Sequence, residues 1–141
     1  MSFESDNIFG ILVANIRNSI KNNLEKLLLE HDISAAQSVL IRRLCEKDCL
    51  TQQELARDTY LKPSSLTLMV DKLEKKGFVE RKAKKDDRRA FLVCLTTKGK
   101  ELEKVINTAS LKVEEEAFKG VTMEEKKILL NTLKTVYLNV K

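Results

Sequence analysis

The chain has 141 residues and carries a net charge of +5. That length fits one domain with a single core large enough to fold without a disulfide or metal staple. Apolar residues make up 43% and charged residues 33%, which excludes a disordered chain, and no apolar run reaches the length of a membrane span. One Pro and four scattered Gly are too little turn punctuation for a β-sandwich or barrel, so long helices are expected. The opening Met-Ser-Phe-Glu-Ser-Asp has neither the basic nor the apolar region of a signal peptide, which predicts a cytoplasmic protein. Cys45, Cys49 and Cys94 are then expected as reduced thiols.

Residues 6–30 are helical by period. Ile8, Phe9, Leu12, Ile16, Ile20, Leu24, Leu27 and Leu28 recur at three- and four-residue spacing. Ser34 with Gln37 forms a capping box for a second helix through Val39, Leu40, Ile41 and Leu44, and Thr51 with Glu54 opens a short third helix. Pro63 suits the first turn of a fourth helix, whose inner stripe is Leu66, Met69, Val70 and Leu73 and which Gly77 ends. The period then changes. Residues 78–82 and 91–95 read as two strands, with a charged, solvent-exposed loop from Ala83 to Ala90 between them. Thr96 or Thr97 opens a long helix closed by Gly120, and Thr122 with Glu125 caps a final helix.

Helix–turn–helix followed by a charged hairpin is the order of a winged helix. The fold class is therefore mainly α with a small β-hairpin wing. Charge is concentrated in the same place. Residues 62–89 hold ten basic and five acidic side chains, a net +5 equal to that of the whole chain. Concentrated basic charge is the footprint of a polyanion partner, although a solvated lysine-rich surface carries the same signal.

The stretches Leu50-Thr51-Gln52-Gln53-Glu54-Leu55-Ala56, Ser64-Ser65-Leu66-Thr67 and residues 70–81 resemble the MarR family of bacterial transcriptional regulators. Asp87-Arg88-Arg89 followed by Leu95-Thr96 and Gly99 is similar to that family's D-x-R … L-T-x-x-G signature. The resemblance covers essentially the whole chain as one domain, residues 1–141. It implies a winged-helix core at 34–96 and dimerisation helices at 6–30 and 97–141. It further implies a homodimer on a pseudo-palindromic operator, usually a repressor relieved by a small ligand or an oxidant. Three positions depart from the family pattern: Tyr60 where Gly is common, Lys62 where a capping Asp or Ser is common, and Leu68 where a basic residue often reads the groove.

With that resemblance, the outer face of the fourth helix becomes the candidate DNA-binding surface. Ser64, Ser65, Thr67 and Lys72 are expected to contact base edges or phosphates, and Leu68 either a thymine methyl or another apolar surface. In the wing, Lys82, Lys84, Lys85 and Arg88 are expected at phosphates. The resemblance assigns Arg89 to the minor groove, with Asp87 pairing to it and holding it in place. Gln52, Gln53 and Arg57 are placed on the outer side of the third helix, near the DNA backbone or simply at the surface. Cys45 and Cys49 would share a helix face, and Cys94 reads as a small core residue.

No enzyme activity is expected. There is no nucleophile–His pattern, no glycine-rich phosphate loop and no HExxH, and His31 is the only His, so no zinc finger spacing exists. No cofactor and no metal are expected. The expected partners are double-stranded DNA, a second copy of the chain and a small aromatic or anionic effector, with no membrane. The competing readings are a winged-helix protein–protein adaptor that has lost DNA binding and a thiol-based redox-sensing regulator.

Overall fold

A computed structural model describes residues 8–141, apart from the side chain of Arg88. Residues 6 and 7, the expected start of the first helix, lie outside the described residues. The elements run α1 (Ile8–Leu28), α2 (Ala35–Glu46), α3 (Gln52–Asp58), α4 (Pro63–Lys75), β1 (Val79–Lys84), β2 (Asp87–Leu95), α5 (Thr97–Lys100), α6 (Leu102–Ala117) and α7 (Met123–Val140). A 3-10 turn at Leu29–His31 follows α1. The expected mainly α winged helix is the observed fold.

All three capping boxes form. Ser34, Thr51 and Thr122 each accept the backbone N–H three residues on, and Gln37, Glu54 and Glu125 return the bond to the cap's own N–H. The reciprocal pairing satisfies two orphan donors per helix, which is why these starts are legible in sequence. The backbone hydrogen bond from Thr51 is also the first cause that holds the Glu54 carboxyl below its ordinary range. Gly77 ends α4 in the left-handed region at φ 81°.

The core lies where α2, α3, α4, the hairpin and the start of α6 meet. Leu40, Ile41, Leu44, Leu55, Leu66, Val70, Leu73 and Val93 are fully enclosed there, with Ile106 from α6. Arg43 on α2 fastens the end of α3: its guanidinium donates to Asp58 Oδ2 at 2.8 and 3.2 Å. That hydrogen bond is the first cause holding the Asp58 carboxyl below its ordinary range.

Four expectations need correction. The segment Ala83–Ala90 is not a loop: the strands run on through it to a tight turn at Lys85 and Asp86, with a register shift between Ala83 and Lys84. The irregularity leaves Arg88, Arg89 and Ala90 of β2 without a paired residue on β1, so the strand bends there. The single long helix after Thr96 is instead α5 and α6, separated at Glu101. Helix α2 stops at Glu46, so Cys49 shares no helix face with Cys45. Cys49 and Cys94 are not free thiols, because they are joined in a disulfide. Cys94 is nonetheless buried, as expected.

The terminal helices behave differently from the core. Most of the apolar stripe of α1 is exposed, including Phe9, Leu12, Ile16 and Ile20. Helix α7 buries none of its residues, although Ile128, Leu129, Leu133 and Tyr137 lie along it. Among the described residues, no helix is long and apolar enough to cross a membrane.

Candidate nucleic-acid interface

Helix α4 buries Leu66, Val70 and Leu73 and turns the opposite face outward. Ser64, Ser65, Thr67, Leu68 and Lys72 are all exposed. Leu68, at 65% exposure, points to solvent beside these hydroxyls. Lys62 precedes the helix without a capping side chain, and Pro63 fills the first position, where its missing N–H is not needed. The start of α4 therefore presents backbone N–H groups and two serine hydroxyls with no acidic side chain in its first turn. A helix N-terminus so arranged favours an anion.

Beside it stands the wing. Lys82, Lys84, Lys85, Asp87 and Arg89 are exposed, and Lys82 pairs loosely with Glu80 at 3.3 Å. The Asp87–Arg89 pairing takes a different form from the one expected. Asp87 Oδ1 accepts the backbone N–H of Arg89 at 2.9 Å. The carboxylate thus fixes the turn in the main chain and leaves the Arg89 side chain directed outward. A short Asp side chain bonds the backbone two residues on more readily than it reaches a guanidinium.

Gln52 departs from its expected outer position. It is half-buried in the seam between α3 and α4, where Nε2 donates to Thr67 Oγ1 at 3.1 Å. Thr67 is thereby tied to α3 as well as facing solvent. Gln53 and Arg57 are exposed, and Arg57 leans on Asp58 at 3.2 Å. Tyr60, in the turn, lies against α1, with its ring 5.1 Å from the guanidinium carbon of Arg17.

Recognition helix and wing sit side by side, the arrangement that enters a major groove with one element and a neighbouring groove with the other. The family model described as MarR family matches residues 33–91. The multiple antibiotic resistance protein MarR of Escherichia coli is 31% identical over 128 residues, 90% of this chain and 89% of that protein. The chain belongs to the MarR family. The regulator SarZ of Staphylococcus haemolyticus is 30% identical over 112 residues, 79% of this chain and 75% of that one. Among solved structures, a mutant of MarR from E. coli complexed with operator DNA matches with a TM-score of 0.84 at 30% identity, covering 90% of this chain and 91% of that one. SarZ is named as an HTH-type transcriptional regulator.

One residue that organises this MarR-family surface escaped the sequence reading. Arg81 on β1 donates to Asp71 at 2.5 Å and to Glu74 at 2.8 Å, both on α4. Its backbone N–H donates to the second Glu74 oxygen at 3.1 Å, and its guanidinium covers the Phe91 ring at 5.2 Å. Arg81 therefore binds wing to recognition helix and offsets two carboxylates that would otherwise repel phosphate. In sequence it is one more cation in a basic stretch. The available signal was Asp71 and Glu74, three apart and so on one helix face, opposite the first strand.

Proposed function

We propose that this chain is a sequence-specific DNA-binding regulator that acts as a homodimeric repressor on a pseudo-palindromic operator and is released by a small ligand. The observation that carries DNA binding is the exposed Ser64, Ser65, Thr67, Leu68 and Lys72 face of α4 set beside the outward cations of the wing. Family membership supports the repressor role. Lys82, Lys84 and Lys85 supply phosphate contacts whose counterions are released on binding, Arg88 is assigned to the same role from its sequence position, and Arg89 enters the minor groove. The adaptor reading has no observation of its own, since the exposed Leu68 fits a thymine methyl equally well.

Binding to duplex DNA measured across a salt series tests this reading. Arg89→Ala is expected to weaken the operator by about 1–3 kcal/mol with the fold retained. Lys84→Ala or Lys85→Ala should weaken all duplexes alike and lower the salt slope by about one unit. Unchanged affinity in Arg89→Ala at physiological salt would remove the wing from the interface, and absence of any salt-dependent duplex binding would favour the adaptor.

A groove of about 700 Å³ between α1, α2 and α6 supports the ligand response. Leu24, Val39, Leu111 and Phe118 give it apolar walls, Arg42 lines it as a cation, and the lining carboxylate of Glu114 is paired with Lys126 at 3.0 Å. An apolar anion fits that chemistry. Seated between the long helices and the winged helix, it would alter the spacing of two recognition helices that must enter grooves about 34–36 Å apart. Reciprocity makes the test direct: a phenolic acid that lowers DNA affinity must itself bind more weakly, by the same factor, when DNA is present. Ligand binding that leaves DNA affinity untouched would refute the coupling.

A further inference from the structure

Asp48, Cys49 and Cys94 converge at the root of the wing. The α2–α3 connection pairs there with β2. Leu50 N donates to Val93 O at 3.1 Å, and Val93 N donates to Leu50 O at 2.8 Å. This exchange makes Leu50 and Val93 a hydrogen-bonded antiparallel pair. Cys49 and Cys94 therefore face each other as the adjacent non-hydrogen-bonded pair, where antiparallel backbones come closest. Their Cα atoms are 4.1 Å apart and their sulfurs are bonded, across 45 residues of sequence. Cys49 sits in the left-handed region at φ 56°, an unusual place for a side chain other than Asn or Asp. Asp48 Oδ1 holds that bend by accepting the backbone N–H groups of Cys49 and Leu95, each at 2.8 Å.

We infer that Cys49 and Cys94 are a reversible dithiol–disulfide pair, a modification site at which a peroxide-class oxidant ties the wing root covalently to the start of the helix-turn-helix. In the reduced chain the half-buried Cys49 is the sulfur an oxidant reaches, since Cys94 is only 1% exposed. The Cys49 thiolate attacks one peroxide oxygen; the O–O bond breaks, hydroxide leaves, and Cys49 becomes a sulfenic acid, oxidised by two electrons. The Cys94 sulfur then attacks the Cys49 sulfur. The S–S bond forms, the S–O bond breaks, and the departing hydroxide takes the Cys94 proton. The peroxide is reduced to two waters. Cys45 does not compete: burial first, then the charges of Glu103, Asp48 and Glu46, push its thiol up.

The bond joins two parts that must act together. Thr51, two residues after Cys49, caps α3, and β2 carries Cys94 at its base and Arg89 toward its tip. Without the disulfide, the two Leu50–Val93 backbone bonds and Asp48 hold this junction. With it, the wing loses freedom relative to α3 and α4 before DNA arrives, so less ordering remains at binding. The inference goes beyond the function proposed above. Its chemical part stands or falls without DNA.

Purified full-length protein, reduced with dithiothreitol and then exposed to hydrogen peroxide, should lose about 2 Da, two hydrogens, without intermolecular linkage. Peptide mapping should join Cys49 to Cys94 and leave Cys45 alkylatable. The oxidised protein should melt several degrees higher and bind duplex DNA severalfold more tightly than the reduced protein, and Cys49→Ser should abolish all three changes. Asp48→Asn keeps an acceptor for both backbone N–H groups while removing a charge that disfavours the neighbouring thiolate, so it should speed oxidation severalfold. A purely structural disulfide would form and raise the melting temperature while leaving duplex affinity unchanged. The inference is overturned by a link through Cys45, by no mass loss, or by equal melting and affinity in the two states. Stoichiometric zinc held by the reduced protein and protecting it from peroxide would also overturn it, assigning the three residues to a metal instead.

Discussion

Ile16→Asp is expected to convert the protein from a species of twice 16.1 kDa to one of 16.1 kDa and to lower operator affinity about 10²–10⁴-fold. Ile16 is 49% exposed in the single chain, in line with Phe9, Leu12 and Ile20 on α1. Helix α7 adds a second uncovered stripe, from Ile128 through Leu129 and Leu133 to Tyr137. Soluble monomers rarely leave such contiguous apolar surface open to water. Covering both stripes with those of a second copy would bury upward of about 2,000 Å², in the range of obligate dimers. Two-fold symmetry places the substituted residue in the interface twice, once from each protomer, so the single substitution buries two unpaired charges. The winged-helix core does not depend on Ile16, so the helical content of the variant should persist. A monomer holds one half-site at a time and forfeits the effective concentration that tethering gives the second. Sedimentation at micromolar concentration, paired with operator titration, reads both effects. A variant that remains dimeric, or a wild-type protein that sediments as a monomer, would rule out α1 as the interface.

Gly99→Ala should lower stability by about 3 kcal/mol and the melting temperature by roughly 10 °C. Gly99 is buried in α5, and a Cβ there would be driven into the carbonyl oxygen of Phe78, with Leu95 Cδ2 at 3.1 Å on the other side. The Phe78 oxygen is backbone and cannot rotate away; it also accepts the Thr96 N–H at 3.1 Å. Thr96 is engaged twice more, donating to the Gly77 carbonyl at 2.5 Å and accepting the Gly99 N–H at 3.1 Å. Separating α5 from Phe78 would therefore loosen the end of α4, the start of β1 and the cap of α5 together. Thermal unfolding followed by circular dichroism measures the loss. A melting temperature within a degree or two of wild type would mean that α5 moves off Phe78 freely.

Helix starts, the winged-helix order and the exposed face of α4 were determined by the sequence itself, because each depends on neighbours within a few positions. Ser34 with Gln37 and Thr51 with Glu54 are reciprocal bonds over three residues, and the Leu66, Val70, Leu73 stripe needs only helical periodicity. What tertiary structure decided involves partners far apart in the chain. Arg81 became the clasp between wing and recognition helix because β1 folds back along α4. Gln52 turned inward because Thr67, fifteen residues on, offered its hydroxyl in the α3–α4 seam. The wing strands outran their polar sequence because ladder hydrogen bonds do not depend on side-chain hydrophobicity, so period-two patterning vanishes where both faces meet water. Cys49 and Cys94 became a pair because Leu50 and Val93 set the register between the α2–α3 connection and β2. Spacing along the chain carries no record of that register, which exists only once the wing has docked against the helices.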